Sequence, residues 1–255
     1  MKIIYHPKFK DPSYASDPAA EEGRIECITK ELQKDRSLAF SKPPAAEQEE
    51  IERVHTPDHL EELKKRSEKK YDLAALSAGG ALAAAVSAYK GNPSFAVIRP
   101  PGHHASPDSC WGFCYLNNMA IAIENLKEKE KIRSAFVLDF DLHTGDGNIN
   151  CLGGRPNVTI MNPRSSDSTR YLKEVRDRFQ EEKKYDIVGV SAGFDEHVED
   201  WGGKLKTKDY RKIGGMVKDF SKEKCEGRRF ALLEGGYNHD VLGKNVKAFI
   251  EGFRA

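Results

Sequence analysis

Asp139, Asp141 and His143 are spaced two apart where the apolar run Ala135-Phe136-Val137-Leu138 ends, and residues two apart on a strand share one face. Such a run reads as a buried strand of parallel sheet. Carboxylates placed there are costly unless a cation or hydrogen-bond donors meet them. Asp and His together suit zinc, and the glycines of Gly145-Asp146-Gly147 let the chain turn tightly at the carboxyl edge of the sheet, where open α/β sheets hold their sites. Taken alone, one D-x-D-x-H also reads as a capped strand end with solvated acids.

Other apolar runs end in groups of the same kind. Phe95-Ala96-Val97-Ile98 leads into Arg99-Pro100-Pro101-Gly102-His103-His104, and adjacent histidines in a rigid turn can both face one cavity. A carboxylate on each imidazole would set its tautomer and its proton affinity. The run from Ile187 leads to Gly193-Phe194-Asp195, and Phe230-Ala231-Leu232-Leu233 to Glu234-Gly235-Gly236-Tyr237. Strand ends that deliver acids, imidazoles and a phenol to one sheet edge make an α/β enzyme site. The chemistry open to such a set is amide hydrolysis. A metal ion would polarise the carbonyl and acidify a water, imidazole would move the proton, and the phenol would donate to the oxyanion.

These groups need a sheet behind them. Strands are predicted near 2–5, 94–98, 135–140, 157–161, 186–191 and 229–233, and helices near 19–35, 57–68, 72–90, 115–130, 169–184, 207–222 and 240–252. That alternation argues for a parallel sheet with helices on both faces. At 255 residues and 38% hydrophobic content the chain can bury one large core, and no repeat or linker divides it. One α/β domain over 1–255 is the expectation.

The motifs carry a resemblance. Arg99-Pro-Pro-Gly-His-His-Ala105, Gly112-Phe-Cys-Tyr-Leu-Asn117, Asp139-x-Asp-x-His-x-Gly-Asp-Gly147, Ala192-Gly-Phe-Asp195 and Glu234-Gly-Gly-Tyr-Asn238 follow one another as in the zinc-dependent histone deacetylase superfamily, which includes acetylpolyamine amidohydrolases and acetoin-utilisation proteins. His55-Thr-Pro-Asp-His-Leu60 and the alanine-rich stretch from Gly79 to Ala85 are similar to its N-terminal half. The chain resembles a short, prokaryotic-like member over almost its whole length. The resemblance implies an arginase/deacetylase-like three-layer sandwich and removal of acetyl or short acyl groups from acyl-lysine or acetylated polyamines.

It also implies roles. Asp141, His143 and Asp195 match the zinc ligands, His103 and His104 the tandem histidines, and Asp146 the acid that orients the second of them. Asp139 matches the acid that orients the first histidine and helps hold a monovalent cation, usually potassium. Tyr237 matches the phenol that polarises the scissile carbonyl. Gly112 and Phe113 match the wall of the acyl tunnel, and Gly235 its substrate-binding turn.

Two departures bear on substrate. Ser16 to Arg24 replaces the usual entry pattern, with Arg24 standing for an arginine below the pocket, and Asn162 to Ser168 replaces a longer loop. The expected rim is therefore abbreviated and tolerant of varied amines, with a tunnel floor of Trp111, Gly112, Phe113 and Cys114 selecting the acyl group. Rival readings are a two-metal arginase-like ureohydrolase, which needs further acids and a second set of ligand histidines, and a catalytically silent binder of acylated ligands.

Charge and cysteines set limits. Lys+Arg 41 against Asp+Glu 40 gives a net charge of +1, so no global field favours nucleic acid or an anionic membrane. With no long apolar segment, a cytoplasmic protein is expected. Five scattered cysteines suit reduced thiols, and Cys110-x-x-x-Cys114 lacks a second pair to close a zinc site. The oligomeric state is not encoded in any of these residues.

Overall fold

The computed structural model describes residues 1–254. Its strands are β1 (Lys2–Tyr5), β2 (Ala39–Ser41), β3 (Ser94–Val97), β4 (Ala135–Asp139), β5 (Val158–Met161), β6 (Ile187–Ala192) and β7 (Arg229–Leu233). They form a seven-stranded sheet in the order β2-β1-β3-β7-β6-β4-β5, and every pairing is parallel. β3, β4, β6 and β7 are buried along their whole length, which is why their sequences are mostly apolar, with polar residues such as Ser94, Asp139, Ser191 and Arg229 at or near their ends.

The helices are α1 (Arg24–Leu32), α2 (Gln48–Glu52), α3 (Pro57–Arg66), α4 (Glu68–Tyr89), α5 (Asn118–Glu128), α6 (Asp146–Leu152), α7 (Ser168–Glu181), α8 (Thr207–Lys224) and α9 (His239–Arg254). α4 packs with α3 and α5 in one group, while α8 packs with α7 and α9, and α9 with α1, in another. The helices thus sandwich the sheet, as the alternation predicts. α4 is apolar and long enough to cross a membrane, yet 72% of its central window is buried inside the protein, where it packs against β1, β3 and β7.

The sequence reading missed β2, whose three residues are all exposed, and the short helices α2 and α6. One correction concerns the site itself. β4 stops at Asp139, so Asp141 and His143 lie in the turn beyond it and not on a common strand face with Asp139. Helix α6 then begins at Asp146, directly behind that turn.

Candidate active site

The loops after β3, β7, β6 and β4, four adjacent strands, meet at one edge of the sheet. Asp141 and Asp195 approach each other across the β4–β6 pair, and His143 reaches both: its Nδ1 is 3.5 Å from Asp141 Oδ1 and 3.6 Å from Asp195 Oδ2. One ligand atom from each of the three lies within 4.8 Å of the others. Both carboxylates are buried, at 5% and 0% exposure.

Their surroundings satisfy the carboxylates only in part. Asp141 accepts N–H groups from His143 at 2.9 Å and Gly235 at 2.8 Å, and Asp195 Oδ1 accepts from Leu142 at 3.1 Å. Asp195 Oδ2 is buried with no hydrogen-bond partner. Gly235 keeps the space clear, since a Cβ there would come within 2.6 Å of both Asp141 Oδ2 and Asp195 Oδ2. The nearby carboxylates of Asp141 and then Asp195 push His143 up to about 10, and burial followed by the charge of Asp141 pushes Asp195 up to about 7. Two acids and an imidazole competing for positive charge around an orphaned oxygen fit a small divalent cation with mixed N and O ligands.

The carbonyls next to these ligands are held from behind by buried phenols. Tyr171 donates to Phe140 O at 3.3 Å and Tyr210 to Phe194 O at 3.0 Å. The loop after Asp195 is itself tight, with Gly202 N–H on Asp195 O at 2.7 Å and Asp200 N–H on His197 O at 2.9 Å.

The tandem histidines take separate acids. His103 Nδ1 is 3.2 Å from Asp139 Oδ2 and its Nε2 is 3.6 Å from Asp141 Oδ1. His104 Nδ1 is 2.6 Å from Asp146 Oδ1. Burial would depress His103, but Asp141 and Asp139 outweigh it and raise the imidazole well above its ordinary value. Burial and then the charge of His103 lower His104 to about 4. The two rings are thus pushed in opposite directions, and lowering favours the neutral form of His104, the form able to accept a proton.

Asp139 has little capacity left. Its Oδ1 accepts from Asp141 N at 3.3 Å, and its Oδ2 takes both His103 and Asn148 Nδ2, the latter at 3.0 Å.

Tyr237 completes the set. Burial and then the charges of Asp141 and Asp195 raise its phenol far above the ordinary value, so it stays a donor. Beneath it, fully buried Arg24 donates from Nε to Gly236 O at 2.8 Å and from Nη2 to Glu234 O at 2.5 Å, which puts this arginine below the pocket as expected. Glu234 accepts N–H groups from Gly102 at 2.7 Å and His103 at 3.2 Å, joining the β7 turn to the histidine turn.

A cleft of about 120 Å³ opens over these groups, lined by His103, His104, His143, Phe113, Gly235 and Tyr237 together with Pro101, Gly112, Trp111 and Trp201. Gly112 sits at φ +59° with its α-carbon against His104, where a Cβ would meet the ring at 2.4 Å. The predicted tunnel residues Gly112, Phe113 and Gly235 therefore share one cleft with His103, His104, His143 and Tyr237, while the carboxylates that partner these side chains lie behind its wall.

One expectation is corrected here. Trp111 is not floor but mouth: it is 55% exposed and lies tilted against His104 with ring centroids 3.9 Å apart. Cys114 is buried as predicted, and with His103 and Glu234 it forms a second group of potential metal-binding atoms. Sequence reasoning missed Trp201 and Asp200 altogether. The only available signal was their position a few residues after Asp195.

A family model described as the histone deacetylase domain matches residues 19–171 and 161–253. A probable deacetylase of Methanothermobacter thermautotrophicus is 29% identical, with 99% of this chain and 90% of that protein covered. An acetylpolyamine amidohydrolase of Burkholderia pseudomallei is also 29% identical, over 70% of this chain and 62% of its own length. Among solved structures, the HDA15 HD domain superposes with a TM-score of 0.83 at 20% identity, covering 99% of this chain and 88% of that one, and shares its fold.

Proposed function

Because the chain belongs to the histone deacetylase domain family, we propose that it is a zinc-dependent amidohydrolase that removes acetyl or other short acyl groups from acyl-lysine or acetylated polyamines. The observation that supports this best is the meeting, on one narrow cleft, of the Asp141–His143–Asp195 group with the His104–Asp146 pair and Tyr237. Asp141, His143 and Asp195 would hold the zinc, which when bound polarises an amide carbonyl and lowers the pKa of water from about 15.7 towards 7.

The protein groups supply the rest. Asp146 holds the Nδ1–H of His104, which leaves Nε2 free to take a proton from the attacking water. The same nitrogen returns that proton to the leaving amine, so amide and water become carboxylic acid and amine, which separate as carboxylate and ammonium once the remaining acid proton passes to the amine. Tyr237 O–H donates to the carbonyl oxygen as negative charge gathers there. His103, whose Nδ1 lies 3.2 Å from Asp139 Oδ2, is held in place beside His104 at the base of the cleft. Potassium at Asp139 rests on the family resemblance alone, since both oxygens of that acid already accept hydrogen bonds. A cytoplasmic location is proposed from the five free thiols.

The test is metal analysis of the purified protein beside turnover of a fluorogenic acetyl-lysine substrate, before and after chelation. One zinc per chain with activity lost on chelation and restored by zinc is expected. Metal-free protein with full activity would refute the reading.

A further inference from the structure

The chain has two tryptophans, and both line the mouth of the cleft. They are unusually open to water, at 55% for Trp111 and 51% for Trp201. Each has one ring face covered by a residue of the site: Trp111 lies on His104, and Trp201 stacks on Tyr237 with centroids 4.0 Å apart and planes at 24°. The Trp111 indole is further fixed by donating from Nε1 to Asp146 Oδ2 at 2.8 Å. Two rigid indoles are thus held with their other faces towards solvent.

Further exposed apolar side chains stand on the elements that carry these residues. The other large exposed apolar side chains include Ile149, one turn along α6 from Asp146, and Val198, in the loop that carries Trp201. Apolar exposure of this kind marks a surface that meets a ligand.

The charges near the indoles select among ligands. No Lys or Arg lines the cleft. Asp146 is bonded to Trp111, Asp200 accepts the N–H of Trp201 at 2.8 Å, and Glu199 is exposed beside them. The cations around the site point away from the mouth: Arg24 lies beneath Tyr237 and donates to Gly236 O and Glu234 O, Lys204 pairs with Glu196 at 2.6 Å, and Arg164 reaches Thr144 at 3.2 Å. An ammonium arriving at the mouth meets indole faces and carboxylates. The quadrupole of tryptophan attracts cations more strongly than that of any other side chain.

We infer that Trp111 and Trp201 form a clamp for a second, unacylated ammonium on the amine that carries the acyl group, so that acylated diamines and polyamines are preferred over neutral acylamines of the same length. The clamp rests on the amidohydrolase reading and assigns the carrier that this cleft selects. It replaces the tolerant rim expected from the short loop 162–168, because specificity is supplied by the turns after β6 and before α5.

With no other tryptophan in the chain, intrinsic fluorescence reports on this mouth directly. The zinc-loaded protein is titrated with N-acetyl-1,4-diaminobutane and with N-pentylacetamide, in which a methyl group replaces the ammonium, and kcat/KM is measured for both. The charged ligand should bind about 5- to 30-fold tighter, with a similar ratio in kcat/KM, and Trp111→Leu or Trp201→Leu should shrink that ratio. Equal affinities, or tighter binding of the neutral amide, overturn the clamp and leave a merely apolar mouth. Cleavage of both at equal kcat/KM removes the clamp and leaves the amidohydrolase reading intact. Selective binding without cleavage of either removes that reading and leaves the clamp.

Discussion

Asp200 holds the main chain on which Tyr237 sits: its Oδ2 accepts the N–H of Tyr237 and that of Asn238, each at 2.8 Å. The same loop begins with Asp195, whose carbonyl accepts from Gly202. The distance from the proposed metal ligand to the phenol is therefore fixed by one short, cross-braced turn. Asp200→Ala should keep zinc bound and lower kcat by about 10- to 100-fold through misplacement of the phenol, with the smaller loss in Asp200→Asn. Steady-state kinetics beside metal analysis would decide it, and an unchanged kcat would show that the β7 turn holds Tyr237 unaided.

Tyr237→Phe should leave zinc content and fold as they are and reduce turnover by roughly 10²–10³, the scale for one oxyanion donor. The loss should appear in kcat more than in KM, because the hydroxyl works on charge that develops after binding. A matching rise in KM with kcat preserved would reassign the phenol to substrate binding.

Asp195→Ala should abolish tight zinc binding while the protein stays folded, since the variant removes a ligand and the orphaned Oδ2 together. Equilibrium dialysis against zinc, with circular dichroism as the control for folding, reads both. Undiminished zinc in a folded variant would sink the ligand assignment.

His104→Ala should cost more activity than His103→Ala, by a margin within the 10²–10⁴-fold span typical of acid–base groups. The close Nδ1 contact of His104 to Asp146, at 2.6 Å, and the lowering of its imidazole by burial set that order. Equal losses in zinc-saturated protein would mean that the rings share the proton transfer.

His55 gives a pH signature outside the metal centre. It is 1% exposed, its Nε2 accepts the N–H of Asn117 at 2.8 Å, and burial followed by the charge of His59 lowers it to about 4 from an ordinary 6.5. Between those values the unfolded chain binds the proton and the folded one does not, so stability rises with pH. His55 should contribute fully above pH 6.5, and that contribution, roughly 3 kcal/mol at most, should be lost as pH falls towards 4. Urea denaturation at pH 7 and 4.5 for the wild type and His55→Gln should show a steeper fall in the wild type; parallel falls would contradict it.

The reactive groups were readable in the sequence because strands of this sheet are buried on both faces. Ionisable residues just past Val97, Leu138, Ala192 and Leu233 stand out against mostly apolar runs. What the strand period could not give was the path beyond Asp139, where the backbone leaves the sheet and the turn, fixed by Asp141 accepting the N–H of His143, takes over. Trp201 and Asp200 stayed hidden for a related reason: an acid and an indole in a polar loop carry no periodicity, and only the fold of 195–203 brings them onto Tyr237. Trp111 was placed on the floor because it adjoins Gly112, whereas the left-handed turn at Gly112 and Phe113 sends it outward.

The sheet order has a consequence for biosynthesis. β7 leaves the ribosome last of the seven strands, yet it lies near the middle of the sheet, between β3 and β6. Until it emerges, β1–β3 and β4–β6 are two separate half-sheets with open edges facing one another, and such edges invite mispairing. The nascent chain can complete its hydrogen-bonded ladder only after Arg229–Leu233 has emerged. A chain ending before Arg229 would lack the strand that joins the two half-sheets.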